Sequence, residues 1–458
     1  MKQAIILLSL FCAIFAANAQ PPEPSGRRLR EIVETLYSDG SIIIGATAGY
    51  SDFGTNTIVL LDREFCYVTS DNDFKQMTIH PDNSYWNTVE PYAWLQHIIE
   101  NNQILRMHSP IGPQCSAWAK WDSTTATELD SNMTQFLREL CRHSNGQLGV
   151  EYMDVVNETI VNGEWHTDKS GFAWECPWYK IGVDSTDKNL TPIYITKAFE
   201  LVQRYGPDIK FIYNHHEPPV VYASWNLLKE TIYYLRNQGL RVDGIGWQAH
   251  IDNGTASPEN LLALDSLITW THNNHLEFHI TEASVWLKNG YYSEILIEQA
   301  ATYRAIVDLL LEKRFNGKVG WNTWNIDDAT CWHKEWFPGL FDADYFPKPA
   351  YCAIQTALEN DMTGIAHTQE NELIRFAGYP NPFNSAIRLF YSVLRTSHIK
   401  IEIFNILGKI EATILDEFQA SGNYTIDWCA PKNLISTIFF ARITINAKST
   451  SIKLIAVK

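Results

Sequence analysis

The sequence has few of the signals that identify metal-dependent or membrane-bound proteins. It contains neither a CxxC pair nor an HExxH motif, so no structural or catalytic metal site is indicated. The adjacent Asp327 and Asp328 are predicted to lie in a solvated loop rather than to bind a cation. We expect the protein to work with no metal and no organic cofactor.

Positive charge is also scarce, because 36 Lys and Arg are outnumbered by 52 Asp and Glu, for a formal net charge of −16. Nucleic acids and anionic membrane surfaces repel such a chain, whereas a neutral substrate is compatible with it. Without Cys12, which lies in an N-terminal apolar run, an odd seven Cys remain at long spacings. They do not indicate a disulfide framework, although one or two bridges are compatible with an exported protein.

Long hydrophobic runs are absent. The apolar run at residues 5–16 is too short to cross a bilayer. It follows Lys2 and precedes small residues that end at Ala19, which predicts a cleaved secretory signal over residues 1–19. A buried N-terminal helix is the alternative. We expect an exported protein without a membrane span.

Short apolar runs alternate with helical patterns over about 320 residues, a length that suits an eight-stranded α/β barrel. Predicted strands lie at residues 42–46, 104–108, 153–157, 210–214, 244–248, 277–281 and 318–322. Predicted helices between them include 192–205, 225–238 and 294–314. The α/β pattern therefore predicts a (β/α)₈ TIM barrel over residues 20–360. A doubly wound open sheet is the alternative, but no glycine-rich phosphate fingerprint supports it.

The pattern changes after residue 360. Residues 361–377 are polar and aperiodic, which predicts a linker. Residues 378–458 show strand alternation and turn signals without a helical pattern, which predicts a small all-β immunoglobulin-like sandwich. The alternating apolar positions are Ile387, Leu389, Tyr391, Val393, Ile399, Ile401 and Ile403.

Two glutamates stand out because each follows a short β-branched run. Glu158 ends the segment 152–158, and Glu282 ends the segment 278–282. Barrel enzymes hold catalytic groups at such strand ends. Cleavage of a glycosidic bond needs one carboxyl that keeps its proton and a second that stays ionised. Taken alone, a glutamate after a strand is also compatible with a helix N-cap partner or a surface charge.

The segments around these glutamates resemble glycoside hydrolase family 10, the β-1,4-xylanases. In chain order they are VTSDNDFK at 68–75, DVVNE at 154–158, DGIGWQAH at 243–250, ITE at 280–282, GWNTW at 320–324, DATCW at 328–332, LFD at 340–342 and PKPAY at 347–351. The resemblance covers residues 29 to 360. It implies a (β/α)₈ barrel and retaining hydrolysis of internal β-1,4 links in xylan.

The resemblance also implies residue roles. Glu282 would be the nucleophile and Glu158 the acid/base, while Asn157 would bind the 2-hydroxyl of the reacting sugar and His250 would orient the nucleophile. Asn72 and Lys75 would contact the sugar two units from the cleavage point. The other implied substrate contacts are His108, Gln114, Gln248, Trp324 and Trp332.

The chain departs from the family pattern at several positions. Gly112 and Pro113 stand where the family has Trp and His, in a third-strand segment one residue shorter. Ser284 replaces an Asp, which weakens the usual carboxylate support for His250, and Glu217 stands where Asn is expected. These changes predict a reshaped subsite for the reacting sugar. Further Trp residues are better explained by packing than by sugar contacts; they are Trp118, Trp121, Trp165, Trp174 and Trp178.

The C-terminal segment resembles the sorting domain of type IX secretion. The matching segments are GYPNPFN at 378–384, IFNILGK at 403–409 and GNY at 422–424. The resemblance implies recognition by that secretion machinery, which agrees with the predicted signal peptide. Thr437 stands where the pattern usually has Gly. A carbohydrate-binding sandwich is the alternative, although Trp428 is the one Trp in this segment.

These observations predict a secreted or cell-surface, monomeric endo-1,4-β-xylanase whose partners are xylan and the type IX secretion machinery. Two alternatives stay open. One is a barrel glycosidase for another or a heavily substituted β-linked polysaccharide, and the other is a carbohydrate-binding protein with weakened catalysis.

Overall fold

The computed structural model describes residues 20–82, 84–167, 174–361, 376–379, 381–393, 396–420, 422–431, 437–445 and 448–457. The signal peptide predicted at 1–19 lies outside these residues, as does most of the predicted linker. Among the described residues, no helix has both the length and the apolar character that a membrane span requires.

The α-helices of the described residues are α1 (Leu29–Leu36), α2 (Asn56–Glu64), α3 (Gln76–Ile79), α4 (Val89–Glu100), α5 (Ala126–Ser144), α6 (Ile193–Tyr205), α7 (Tyr222–Asn237), α8 (Pro258–Asn273), α9 (Ser293–Lys313) and α10 (Pro349–Asp361). The N-terminal region contains the strands β1 (Ile42–Thr47), β2 (Tyr67–Thr69), β3 (Ile104–Met107), β4 (Val150–Asn157), β5 (Ile160–Val161), β6 (Glu164–Trp165), β7 (Lys210–His215), β8 (Gly244–Trp247), β9 (His250–Asp252), β10 (Glu277–Trp286) and β11 (Val319–Thr323). The C-terminal region contains β12 (Phe376–Tyr379), β13 (Ala386–Val393), β14 (Ser397–Asn405), β15 (Ile410–Gln419), β16 (Gly422–Cys429), β17 (Thr437–Ile445) and β18 (Lys448–Ala456).

Parallel strands of the N-terminal region close into a barrel. Their order is β1, β2, β3, β4, β7, β8, β10 and β11, and β11 pairs with both β10 and β1. Val319 is the register partner of Ile42 on one side and of Phe278 on the other. The predicted TIM barrel is thereby confirmed, and the open-sheet alternative is wrong.

The barrel strands read as continuous apolar runs because both of their faces are covered. All six residues of β1 are buried, for example. Inside the barrel, Ile43, Tyr67, Tyr152 and Ile212 form a separate apolar cluster. The predicted strands and helices agree with the structure to within a few residues, except that β10 continues to Trp286.

The C-terminal strands form two antiparallel sheets with a core of their own. The sheet orders are β12-β13-β16 and β15-β14-β17-β18. The apolar positions predicted at β13 and β14 are all buried in this core. Trp428 also lies in the core, against Phe383 and Phe439, so its indole is not a sugar platform. Helix α10 ends at Asp361 and β12 begins at Phe376, so regular structure reaches both ends of the predicted linker.

The cysteines of the described residues are all free thiols. No bridge of the kind left open by the sequence is formed among them. Most of these thiols are buried, and burial raises the pKa of Cys115, Cys141 and Cys176 to about 12. They are therefore protonated packing residues rather than ligands or nucleophiles.

Candidate active site

Glu158 directly follows β4, and Glu282 lies within β10, two residues after Ile280, the last β10 residue that pairs with β8. Both glutamates lie at the same end of the barrel. Glu158 has a left-handed backbone, with φ of +54°, as do Asp71 after β2 and Ala249 after β8, with φ of +43° and +45°. Such conformations cost roughly 1–3 kcal/mol each for residues other than glycine, and they cluster at functional sites. Their position after the alternate barrel strands β2, β4 and β8 marks this rim of the barrel as the candidate site.

Glu282 is buried among groups that stabilise its ionised form. His250 Nε2 lies 3.2 Å from Oε2, and His108 Nε2 lies 3.7 Å from Oε1. Burial by itself would raise the pKa of Glu282, but His108, His250 and Lys75 lower this pKa to about 2. Glu282 is therefore a carboxylate at neutral pH, as a nucleophile must be.

A chain of amide side chains links the two glutamates. Asn214 Nδ2 donates to Glu282 Oε1 and to Asn157 Oδ1, both at 2.9 Å. Gln248 Nε2 donates to the same Asn157 oxygen at 3.0 Å and to Glu158 Oε1 at 2.8 Å. The positions of the two carboxylates are therefore coupled through three neutral side chains.

His108 is held in place by the buried ion pair between Asp154 and Arg106. Its Nδ1 donates to Asp154 Oδ2 at 2.8 Å, and Arg106 Nε donates to both oxygens of Asp154 at 2.9 Å. Close packing inside the barrel requires glycine at position 246, because a Cβ there would lie 2.4 Å from Asn214 Oδ1. The Gly at the centre of the DGIGWQAH motif thus has a packing cause.

Lys75 joins the predicted sugar-binding residues of the second and third strands to the site. Its ammonium group hydrogen-bonds Gln114 Oε1. Burial lowers the pKa of Lys75, an effect that Glu282 and Asp71 oppose. Asn72 hydrogen-bonds the Asp71 side chain in the same turn. Lys75 and Asp71 therefore lie near Glu282, and Gln114 and Asn72 are hydrogen-bonded to these two residues.

His250 is supported by aromatic rings instead of a carboxylate. Its Nδ1 is buried without a partner among the described residues, and Ser284 Oγ accepts from Asn325 Nδ2 at 2.8 Å. The imidazole is parallel to the Trp286 ring, at 5.7 Å and 2°. Two predicted substrate contacts also lie against the His250 ring. The Trp324 ring is edge-on with its centroid 6.1 Å away, and the Trp332 ring is tilted with its centroid 5.6 Å away. The expected loss of carboxylate support is therefore seen in the geometry.

Glu158 receives a hydrogen bond that the sequence did not predict. Trp174 Nε1 donates to Glu158 Oε2 at 2.5 Å. Of the other Trp residues weighed as sugar contacts, Trp118 and Trp178 are buried, and Trp165 Nε1 donates to Asn189 O at 2.7 Å. The packing explanation fits those three, whereas Trp174 belongs to the site.

The adjacent Asp327 and Asp328 correct one expectation. Both are buried rather than solvated. Thr57 Oγ1 donates to Asp327 at 2.8 Å, and Lys348 Nζ donates to Asp328 at 2.9 Å. Both carboxylates therefore close the last βα loop through hydrogen bonds. Among the described residues, no His, Cys, Asp and Glu cluster suited to a metal ion is present.

The structure brings all the predicted site residues to this one rim. Sequence reasoning missed further residues there: Asp154 and Asn214, which orient His108 and Glu282, and Trp174 and Trp286, which contact Glu158 and His250. The two polar residues lie in or at the end of a strand, which was a usable signal. The two Trp residues carried no signal beyond their residue type.

Comparison with protein families gives two matches along the chain. Residues 32–357 match the model of glycosyl hydrolase family 10. Residues 377–458 match the model of the secretion system C-terminal sorting domain.

Individual relatives agree with the first match. The chain is 27% identical to endo-1,4-beta-xylanase B of Thermotoga neapolitana over 377 residues, which covers 78% of this chain and 98% of the relative. It is 28% identical to endo-1,4-beta-xylanase A of Caldicellulosiruptor saccharolyticus, with 67% and 90% covered. Among solved structures, xylanase 10B of Thermotoga petrophila in complex with xylobiose superposes with a TM-score of 0.63 at 28% identity, over 74% of this chain and 100% of that one.

Proposed function

The chain belongs to glycosyl hydrolase family 10 and is a glycoside hydrolase, and from this premise we propose that it is a retaining endo-1,4-β-xylanase. One observation supports the proposal most strongly. An ionised Glu282 within β10 and a second carboxyl, Glu158, directly after β4 are coupled through Asn214, Asn157 and Gln248. Their environments differ, as two-step hydrolysis requires.

In the first step, Glu282 attacks the anomeric carbon of a xylose unit. The glycosidic bond breaks, and the proton of Glu158 passes to the leaving oxygen. Lys75, His108 and His250 keep Glu282 ionised, so the nucleophile is ready without prior proton loss. The product of this step is a xylosyl ester on Glu282 and a carboxylate on Glu158.

In the second step, the Glu158 carboxylate takes a proton from water as the water oxygen attacks the anomeric carbon. The bond to Glu282 breaks, and both glutamates return to their starting forms. Two displacements on the same carbon retain its configuration. Asn157 Oδ1 accepts the hydrogen bonds from Asn214 and Gln248, so the NH₂ group of Asn157 can donate to the sugar 2-hydroxyl.

The C-terminal domain is a secretion sorting domain, and the chain is exported through the type IX system to the cell surface or beyond. A polymer such as xylan cannot enter a cell, so a depolymerising enzyme must meet it outside. Export and the proposed substrate are therefore consistent with each other.

Hydrolysis of a polysaccharide panel tests the proposal. We expect reducing-sugar release from linear xylan, arabinoxylan or glucuronoxylan, and little release from mixed-linkage β-glucan or carboxymethyl cellulose. Release from β-glucan alone would favour another barrel glycosidase. Binding to xylan without release from any polymer would favour a carbohydrate-binding protein.

Substitution of the glutamates tests their roles. Glu282→Ala should abolish turnover while its thermal melt stays cooperative, because the covalent step is lost. Glu158→Ala should lose about 10²–10⁴-fold on xylo-oligosaccharides but retain kcat/KM on a dinitrophenyl xylobioside, whose leaving group needs no proton. Equal losses on both substrates in Glu158→Ala would contradict the acid role.

A further inference from the structure

The chain after Glu158 folds back onto that residue. Strands β5 and β6 form a tight hairpin whose turn residues Asn162 and Gly163 both have positive φ, at +53° and +80°. This is the backbone that a two-residue hairpin turn favours, and Asn-Gly adopts it readily. The hairpin returns the chain so that the His166 amide donates to Thr159 O at 2.8 Å.

His166 then ties the loop to the backbone of Glu158. Its Nδ1 lies 2.9 Å from Glu158 O, and its Nε2 lies 2.5 Å from Trp174 O. The imidazole is buried and also contacts the Trp174 ring, with centroids 4.6 Å apart. Cys176 N donates to Thr167 O at 3.0 Å and closes the loop.

The result is a neutral N–H donor on each oxygen of the Glu158 carboxyl group. Gln248 Nε2 donates to Oε1 at 2.8 Å, and Trp174 Nε1 donates to Oε2 at 2.5 Å. The Trp174 ring is held edge-on against His216, with centroids 4.9 Å apart at 82°. The charged and titratable groups that interact electrostatically with Glu158 include Lys75 and His216.

The neighbouring segment after β3 cannot provide such a donor at the two altered positions. Gly112 has no side chain, and Pro113 has neither a side-chain donor nor an N–H. Gly112 O is instead an acceptor for Trp178 Nε1 at 3.0 Å. The indole that donates to the Glu158 carboxyl group is instead that of Trp174, which follows β6.

We propose that Trp174 is a positioning residue that promotes proton donation by Glu158, and this inference rests on the proposed function. As the proton passes to the leaving oxygen, negative charge develops on the Glu158 carboxyl group. A hydrogen bond from the fixed indole N–H becomes stronger as that charge develops, so it stabilises the transition state more than the ground state. The β5–β6 hairpin and His166 hold the indole in place.

The test compares Trp174→Phe with Trp165→Phe on two substrates. Trp165 is the matched control, because it lies in the β5–β6 hairpin that precedes Trp174 but donates to Asn189 O. We expect Trp174→Phe to lower kcat/KM on xylopentaose by about tenfold or more, which is part of the total that general acid catalysis provides. Its kcat/KM on 2,4-dinitrophenyl xylobioside should stay at the wild-type value, and Trp165→Phe should change neither.

His166→Ala is the second variant, since it loosens the loop without removing the indole. It should show the same selective loss on xylopentaose, with a smaller size. Equal losses on both substrates in Trp174→Phe, or no loss on xylopentaose, would overturn the inference. The wild type is measured on both substrates as well. If the wild type hydrolyses xylopentaose, such a result concerns the role of Trp174; if it does not, the proposed function fails.

Discussion

At the scale of single residues, Glu217 and Glu282 have similarly low pKa values but different neighbours. The neighbours of Glu282 are the histidines and the lysine of the cleft. Burial would raise the pKa of Glu217 as well, but His215, whose Nε2 lies 3.4 Å from Oε2, and hydrogen bonds from the Ser224 hydroxyl and the Asn162 amide lower it to about 2. Glu217 thus braces the hairpin turn against α7, which gives a structural reason for a Glu where the family has Asn.

This bracing predicts a pH-dependent contribution to stability. The pKa of Glu217 in the folded chain, about 2, lies below its ordinary value of 4.5. The contribution is therefore complete above pH 4.5 and is lost as the pH falls toward 2. A full shift would equal roughly 3 kcal/mol, and solvent screening reduces it to about 1–2 kcal/mol.

Urea unfolding at pH 7, 5 and 3 measures this effect. Glu217→Gln should be less stable than the wild type at pH 7, and the difference should shrink at pH 3. The exposed Glu164 of the same hairpin is the control, and Glu164→Gln should follow the wild type at each pH. An unchanged difference between pH 7 and pH 3 would contradict the prediction.

At the scale of elements, the segment after β3 acts on the site through its backbone. The Asn157 amide donates to Ile111 O at 2.9 Å. A Cβ on Gly112 would lie 3.1 Å from Asn157 Cβ and 3.3 Å from Asn157 O. The short Gly112-Pro113 segment therefore packs directly against a residue that links the two glutamates.

Gly112→Ala should accordingly displace Asn157 by a few tenths of an ångström. We expect kcat on xylan to fall by about threefold to tenfold, because misplacement of about 1 Å costs roughly a hundredfold. The melting temperature should change little. Gly49→Ala is the control, since its added Cβ would have no contact closer than 3.4 Å. Unchanged kcat in Gly112→Ala would show that the close contact has no catalytic consequence.

The strand and helix positions were predictable because each element has its own apolar period. The length of β10 was not. Its predicted end at residue 281 is extended to Trp286 because Ser284, Val285 and Trp286 pair with β9. That pairing joins residues more than thirty positions apart, so no local pattern reports it. The same extension places Trp286 against His250.

At the scale of the whole molecule, the main hydrophobic cores of the two domains share no residue among those that the structure describes. One is built from residues between Leu29 and Leu358, and the other from residues between Phe383 and Ala456. Each domain therefore has its own source of stability, and we expect catalysis to depend on the first core alone. The domain limits predicted at 360 and 378 stay a proposal.

Ile401→Ala tests this independence. Ile401 is fully buried in the second core, so the cavity should destabilise the sandwich by about 2–5 kcal/mol. Calorimetry should show one transition moved to lower temperature and the other unmoved, with xylan hydrolysis unchanged. Ile410→Ala, at a half-exposed site of the same sheet, should shift neither transition by more than a degree or two. Loss of xylan hydrolysis in Ile401→Ala would contradict the independence of the cores.

The sequence by itself determined the alternation of strands and helices, the sandwich, and the positions of Glu158 and Glu282 directly after short β-branched runs. Periodicity and motif spacing are local, so they survive in the linear chain. The tertiary structure alone decided that Trp174 reaches Glu158, that Trp286 stacks on His250, and that Asp327 and Asp328 are buried. These contacts join segments that meet when the barrel closes and its loops fold over the strand ends.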